Sequence, residues 1–196
     1  MKVLVTGFPN SGTSFMMEFC VKATGLNPGS ERNLKGPDSH NRYGYWEHLQ
    51  IRRVAWSLFG GGFRVRAIPE EPYPRDEAVA SGILEQAEKD GVEIYKDPTL
   101  PLTYRSFPED VKIICISRSP TLLRGRYYED LAPGEFTRSY TRYLLLAHEM
   151  AGKRDVLHTA YDFFHMSFEG LAEMACEFLD VPYREELRET WRPRKQ

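Results

Sequence analysis

"VTGFPNSGTS" (residues 5–14) stands between a short apolar run, "KVLVT" (2–6), and "SGTSFMMEFCVKATG" (11–25). In the latter, Phe15, Met16, Phe19, Cys20 and Ala23 recur at helical spacing before Gly25 stops the helix. Strand, glycine loop and helix thus follow in direct succession, the opening unit of a parallel α/β sheet. Gly7 and Gly12 have the spacing of the phosphate-cradling pattern G-x-x-x-x-G-K-[ST], but Thr13 stands where its lysine belongs.

The rest of the chain continues the alternation. "VEIY" (92–95), "VKIICIS" (111–117) and "DVLHTAY" (155–161) read as three more buried strands. Helical patterns cover 45–59, 75–91, 119–131, 134–152 and 167–181, while 26–44 is a loop rich in Pro, Gly, Ser and Asn. "GGG" (60–62) is a connector or a lid hinge, and with "PEEPYP" (69–74) it bounds an excursion. The expected architecture is one domain over 1–196, an α/β fold of three layers (α/β/α). Its central parallel sheet has about four to five strands, P-loop NTPase-like, with helices on both faces and right-handed crossovers.

Composition narrows the function classes. With 41% hydrophobic and 13% aromatic residues, a chain of this length buries a sizeable core. A net charge of −2 lacks the basic excess of a nucleic-acid binder, so no nucleic-acid partner is expected. The three cysteines, Cys20, Cys115 and Cys176, sit in apolar settings without a CxxC pair and read as buried thiols in a reducing compartment. The N-terminal apolar run is too short for a signal peptide, and no segment approaches about 18 apolar residues. A soluble, cytoplasmic protein without membrane insertion is the expectation.

A glycine loop entering a helix offers an anion free backbone N–H groups and the positive end of the helix dipole. Ser11, Thr13 and Ser14 add hydroxyl donors. Ser117-Arg118 follows the "KIICI" strand where a magnesium-binding acid is wanted, so the loop suits one phosphate without a metal. An ordinary strand-to-helix turn is the alternative. Arg118 ends that strand, where ligands of open parallel sheets sit, and its guanidinium can fork onto a phosphate. Arg124 and Arg126 follow on the next helix, as further ligands or as solvated positions.

The blocks "GFPNSGTSFM", "NRYGYWE", "YKDPTLPL", "IICISRSP" and "AYDFF…EFLDV" resemble, in this order, the PAPS-dependent sulfotransferases, above all their bacterial and carbohydrate- or protein-modifying branches. The resemblance spans residues 3 to about 181. It implies that PAPS (3′-phosphoadenosine 5′-phosphosulfate) is the donor and PAP the product, with no metal required. The loop Pro9, Asn10, Ser11, Gly12, Thr13 and Ser14 would hold the 5′-phosphosulfate, and Arg118 the 3′-phosphate.

Two positions depart from that family. Asn10 replaces the Lys or Arg that supports the leaving phosphate, and Arg126 stands where a serine often binds the 3′-phosphate. Lys96, in "YKDP", is the candidate replacement cation. An acceptor hydroxyl or amine loses its proton as it attacks sulfur, so a base is needed within reach. Glu47, opening the second helix, is the first candidate, followed by Asp97, which sits beside Lys96, and by Glu31. His40, His148, His158 and His165 show no metal spacing. Phe8 and Tyr45-Trp46 are core aromatics or pocket walls. "WRPRKQ" is a basic end that frays or folds back on the phosphates. The acceptor is a small molecule, a sugar or a peptide, its pocket open or completed by a second copy in a homo-oligomer. A non-catalytic adenosine-bisphosphate binder and a P-loop nucleotide kinase are the competing functions.

Overall fold

The computed structural model describes residues 1–38, 41, 44–57, 68–69, 71, 77–164 and 166–191. The glycine run 60–62, His40, His165 and the basic end beyond Trp191 lie outside them. Four strands form the sheet: β1 (Val3–Thr6), β2 (Ile94–Lys96), β3 (Lys112–Ser117) and β4 (Val156–Ala160). Every pairing is parallel and the order is β2-β1-β3-β4.

The helices are α1 (Thr13–Thr24), α2 (Leu49–Trp56), α3 (Glu77–Lys89), α4 (Leu100–Thr103), α5 (Pro120–Tyr127), α6 (Pro133–Ala151), α7 (Tyr161–Phe164) and α8 (Phe168–Phe178). Alternation along the strands divides the core in two. Val3, Val5, Ile94, Ile114 and Ile116 pack against Met16, Phe19 and Cys20 of α1 and Ala172, Ala175 and Cys176 of α8. Leu4, Tyr95, Ile113 and Cys115 face the other way, onto Ile51 of α2, Ile83 of α3 and Phe136, Tyr143 and Met150 of α6. Strands buried on both faces are why the sequence shows apolar runs without a polar side. The three cysteines are free and buried.

From β1 the chain crosses to β2 on one side and reaches β3 on the other. Order therefore reverses between β1 and β3, and the crevice outside their carboxyl ends is where open sheets take ligands. The loop after β1 and Arg118 after β3 both sit there.

One boundary differs from the sequence expectation in a way that matters. The second helix starts at Leu49, not at 45, so Glu47 lies ahead of it and does not open it. Trp46 holds a left-handed φ of 57°, and His48, bridged to Leu34, serves as the N-cap, its Nδ1 accepting from Ile51 N at 3.5 Å. This extended approach leaves the Glu47 side chain free to turn into the crevice.

Candidate functional site

The loop is shaped by its glycines and one buried hydroxyl. A Cβ at Gly7 would lie well inside contact distance of the Ile116 carbonyl, so only glycine lets β1 run this close to β3. Ser11 is fully buried, and its Oγ donates to that same carbonyl at 2.8 Å. Gly12 has φ +105° and turns the chain into α1 beneath the Tyr161 ring. No side chain caps α1, so its first-turn N–H groups remain open toward the crevice.

The missing lysine has a counterpart one strand away. Lys96, only 3% exposed at the end of β2, places Nζ 3.1 Å from Ser14 Oγ and 3.0 Å from Glu47 Oε1. Arg52 Nη1 holds Glu47 Oε2 at 2.8 Å and stacks on Trp56. Burial pushes the Glu47 carboxyl up, but the charges and hydrogen bonds of Lys96 and Arg52 outweigh it and hold it below the usual carboxylate range. Burial likewise lowers the Lys96 ammonium, against the pull of Glu47. Ser14 Oγ in turn donates to Tyr45 O at 3.3 Å and accepts from Asn41 Nδ2 at 3.2 Å.

Arg118 is the second cation. Its side chain is 12% exposed, beside Asp162 at 3.9 Å and over the Tyr161 ring at 4.8 Å. Nη1 donates to Asn10 O at a long 3.4 Å, and the buried Nε has no hydrogen-bond partner among the described residues. A guanidinium at a strand end, held by one long hydrogen bond and one loose ion pair, is suited to turn onto a multiply charged oxyanion. Asp162 also accepts from Ser119 N at 2.6 Å, and Tyr140 OH donates to Arg118 O at 2.6 Å, so the strand end is fixed.

Asp97 does not pair with Lys96. Its Oδ1 accepts from Thr99 N at 2.7 Å and Thr99 Oγ1 at 2.6 Å, closing the turn into α4, while Oδ2 is buried without a hydrogen-bond partner. Burial pushes this carboxyl up to about 6, against the lowering by Thr99. A raised acid destabilises the fold where it is ionised, above about pH 6, and the penalty is relieved as pH falls toward its ordinary 3.8. Asp97→Asn keeps the Thr99 acceptor and removes the titration. Denaturation profiles should show the variant gaining about 3 kcal/mol on the parent between about pH 4 and pH 8. Parallel profiles would mean that Asp97 titrates as it does in water.

The remaining sequence candidates separate cleanly. Pro9 and Asn10 form the loop crest, with Pro9 O accepting from Tyr128 OH at 3.1 Å. Arg126 is exposed over its neighbour Tyr127, and none of its described contacts reaches the loop. Glu31 is exposed in a 3-10 turn. Phe8 is a core ring, packed edge-on against Tyr128, Phe136, Tyr140 and Tyr143. Among the described residues no group of His, Cys, Asp or Glu is placed to hold a metal, and no helix is long and apolar enough to cross a membrane. Arg52, Tyr128, Tyr161 and Asp162 are contributors that no spacing rule singles out, because each reaches the crevice from a different element.

No family model matches the chain, and no curated protein matches its sequence. Solved structures do match. The sulfotransferase domain of the Synechococcus PCC 7002 olefin synthase aligns over 97% of this chain and 77% of its own, with a TM-score of 0.55 at 14% identity. Mouse sulfotransferase SULT7A1, complexed with PAP, aligns over 96% of this chain and 62% of its own, with a TM-score of 0.54 at 16% identity. Retinol dehydratase, in complex with retinol and PAP, gives 96%, 62%, 0.52 and 13% for the same measures. The chain thus spans between 62% and 77% of the length of these three. With its loop, its parallel sheet and its strand-end arginine in place, the chain has the fold of the sulfotransferases.

Proposed function

We propose that the protein is a PAPS-dependent sulfotransferase, moving a sulfuryl group to a hydroxyl or amine of a small-molecule, sugar or peptide acceptor. The observation that carries this reading is the pair of cations at the switch point. Lys96 is fixed on Ser14 of a lysine-free phosphate loop, and Arg118 stands loosely held at the end of the next strand. Two separated anion sites suit a nucleotide phosphorylated at both ends of its ribose, and two of the structural neighbours carry PAP. Three buried thiols fit a reducing, cytoplasmic setting.

In this reading the N–H groups at the start of α1, with Thr13 and Ser14, bind the 5′ group, and Arg118 binds the 3′-phosphate. Ser11, expected from the sequence to offer its hydroxyl to the anion, donates it to Ile116 O instead and shapes the loop. Lys96 neutralises the charge that builds on the bridging oxygen as its bond to sulfur breaks. Glu47, kept ionised at rest, takes the acceptor's proton as the new oxygen–sulfur bond forms. Its basicity rises once Lys96 turns from Oε1 toward the leaving oxygen, because that cation is the strongest influence lowering its pKa. Asp97 is the second candidate base, the one with an unengaged carboxylate oxygen.

Asn10 favours a second reading, a protein that binds adenosine bisphosphate without turning it over, since the crest carries an amide where the family carries a cation. Calorimetric titration decides the donor question. Adenosine 3′,5′-bisphosphate should bind at micromolar concentration without metal, and ATP with magnesium should not. The reverse would make the protein a kinase. Arg118→Ala should weaken bisphosphate binding by about 1–3 kcal/mol. Unchanged affinity would remove that residue from the site. Turnover with PAPS across an acceptor screen then separates enzyme from binder.

A further inference from the structure

The crest of the loop is gripped from outside by a single segment. Asn10 has φ +69°, a left-handed conformation that asparagine adopts more readily than most residues and that its contacts here hold in place. Tyr128 holds it twice, donating from its hydroxyl to Pro9 O at 3.1 Å and accepting from Asn10 Nδ2 at 3.2 Å. Its ring is rooted between Phe8, edge-on at 5.7 Å, and Phe136 at 5.5 Å. Burial pushes the phenol up to about 12, so it remains a neutral donor throughout the working pH range.

At the other end of the same segment, Arg118 Nη1 donates to Asn10 O. Residues 118 and 128 therefore bracket α5, and both meet the crest at Pro9 and Asn10. The loop's other ties do not involve this segment's far end: Ser11 N donates to Phe8 O at 2.9 Å and Ser11 Oγ to Ile116 O. The cradle from Ser11 onward thus has ties of its own that do not depend on Tyr128. What Tyr128 fixes is where the crest, and the cradle below it, sits relative to Arg118.

Resting on the donor site proposed above, we propose that Tyr128 is a positioning residue that sets the separation between the loop and Arg118. It thereby sets the preference for a nucleotide phosphorylated at both the 5′ and the 3′ position. A ligand held by the loop alone does not sense that separation. A ligand spanning both anion sites does.

Calorimetry with adenosine 3′,5′-bisphosphate and with AMP tests the inference on Tyr128→Phe, which removes one oxygen and keeps the ring. Losing the two hydrogen bonds should lower bisphosphate affinity roughly 5- to 20-fold while AMP affinity stays within about two-fold. Asn10→Gly, which accepts a positive φ and removes the other end of the grip, should move the same ratio in the same direction. An equal loss for both nucleotides, or no loss, in two folded variants overturns the assignment and leaves Tyr128 as packing. A parent protein that binds neither nucleotide overturns the donor-site reading itself, and this inference with it.

Discussion

Lys96→Met should lower turnover about 10²–10³-fold, the usual loss when a preorganised charge at a developing oxyanion is removed. Methionine keeps the length and apolar stem of lysine, so packing at this buried position changes little. The neighbouring cation Lys35 is held over the Tyr45 ring at 3.4 Å and not on Ser14 or Glu47. Asn10 is neutral, Arg52 is committed to Glu47 and Trp56, and Arg118 lies across the crevice beside Asp162. The same substitution should cost about 1–3 kcal/mol of stability, because it leaves the buried Glu47 with one cation instead of two.

The two effects can be separated. Adding Glu47→Gln to Lys96→Met removes the unbalanced charge and should recover most of the stability. Turnover of Lys96→Met itself, measured well below its denaturation midpoint, should stay low; parent-like turnover there would make Lys96 structural. The pH dependence gives a further check. Glu47 is held low in the folded protein, so its contribution to stability is complete above its ordinary value of 4.5 and disappears as pH falls through the lowered one. In Lys96→Met that acid-side loss should shrink, or turn into a gain if burial then outweighs Arg52, as read from denaturation midpoints.

Gly7→Ala should cost about 3–5 kcal/mol, enough to unfold many domains of this size. The added methyl would collide with the Ile116 carbonyl and stand 2.5 Å from Ser11 Oγ. Neither can retreat, since the carbonyl belongs to the central strand β3 and already accepts the Ser11 hydroxyl. Gly125→Ala is the control within the same chain. That glycine lies inside α5 with nothing within 4 Å of an added Cβ, so alanine should stabilise by about 0.5–1 kcal/mol. Equal denaturation midpoints for the two variants would mean that β1 and β3 can separate without penalty.

The sheet was legible because both of its faces are buried. Four apolar runs became four strands within one or two residues at each end, and the loop between Gly7 and Gly12 could be recognised from spacing alone. The partnerships in the crevice were harder to read. Lys96 and Asp97 are neighbours in sequence, which suggests a pair, yet successive residues of an extended chain point to opposite faces. Lys96 follows the side of Val5 toward α1 and finds Ser14 and Glu47, while Asp97 turns into its own Thr99. "RYYED" reads as a helical face, but α5 ends at Tyr127, and Tyr128 leaves the helical register to reach the loop. Arg126, still inside the helix, is carried outward. Such contacts depend on where helices stop, the least certain feature of any sequence pattern.

The strand order has a consequence for how the chain is made. Val3 pairs with Ile94 on one side and Lys112 on the other, so β1 waits for segments far later in the chain before both its edges are covered. Until β2 has been made "VLVT" has no neighbour on either edge, and until β3 has been made one edge stays open to wrong partners. Pairings this distant in sequence close slowly. The crevice draws on Gly12, Glu47, Lys96, Arg118 and Asp162, so no nascent fragment that stops short of Asp162 contains it. Under the proposed function, a bound nucleotide would therefore favour the folded molecule over every form in which the crevice is not yet assembled.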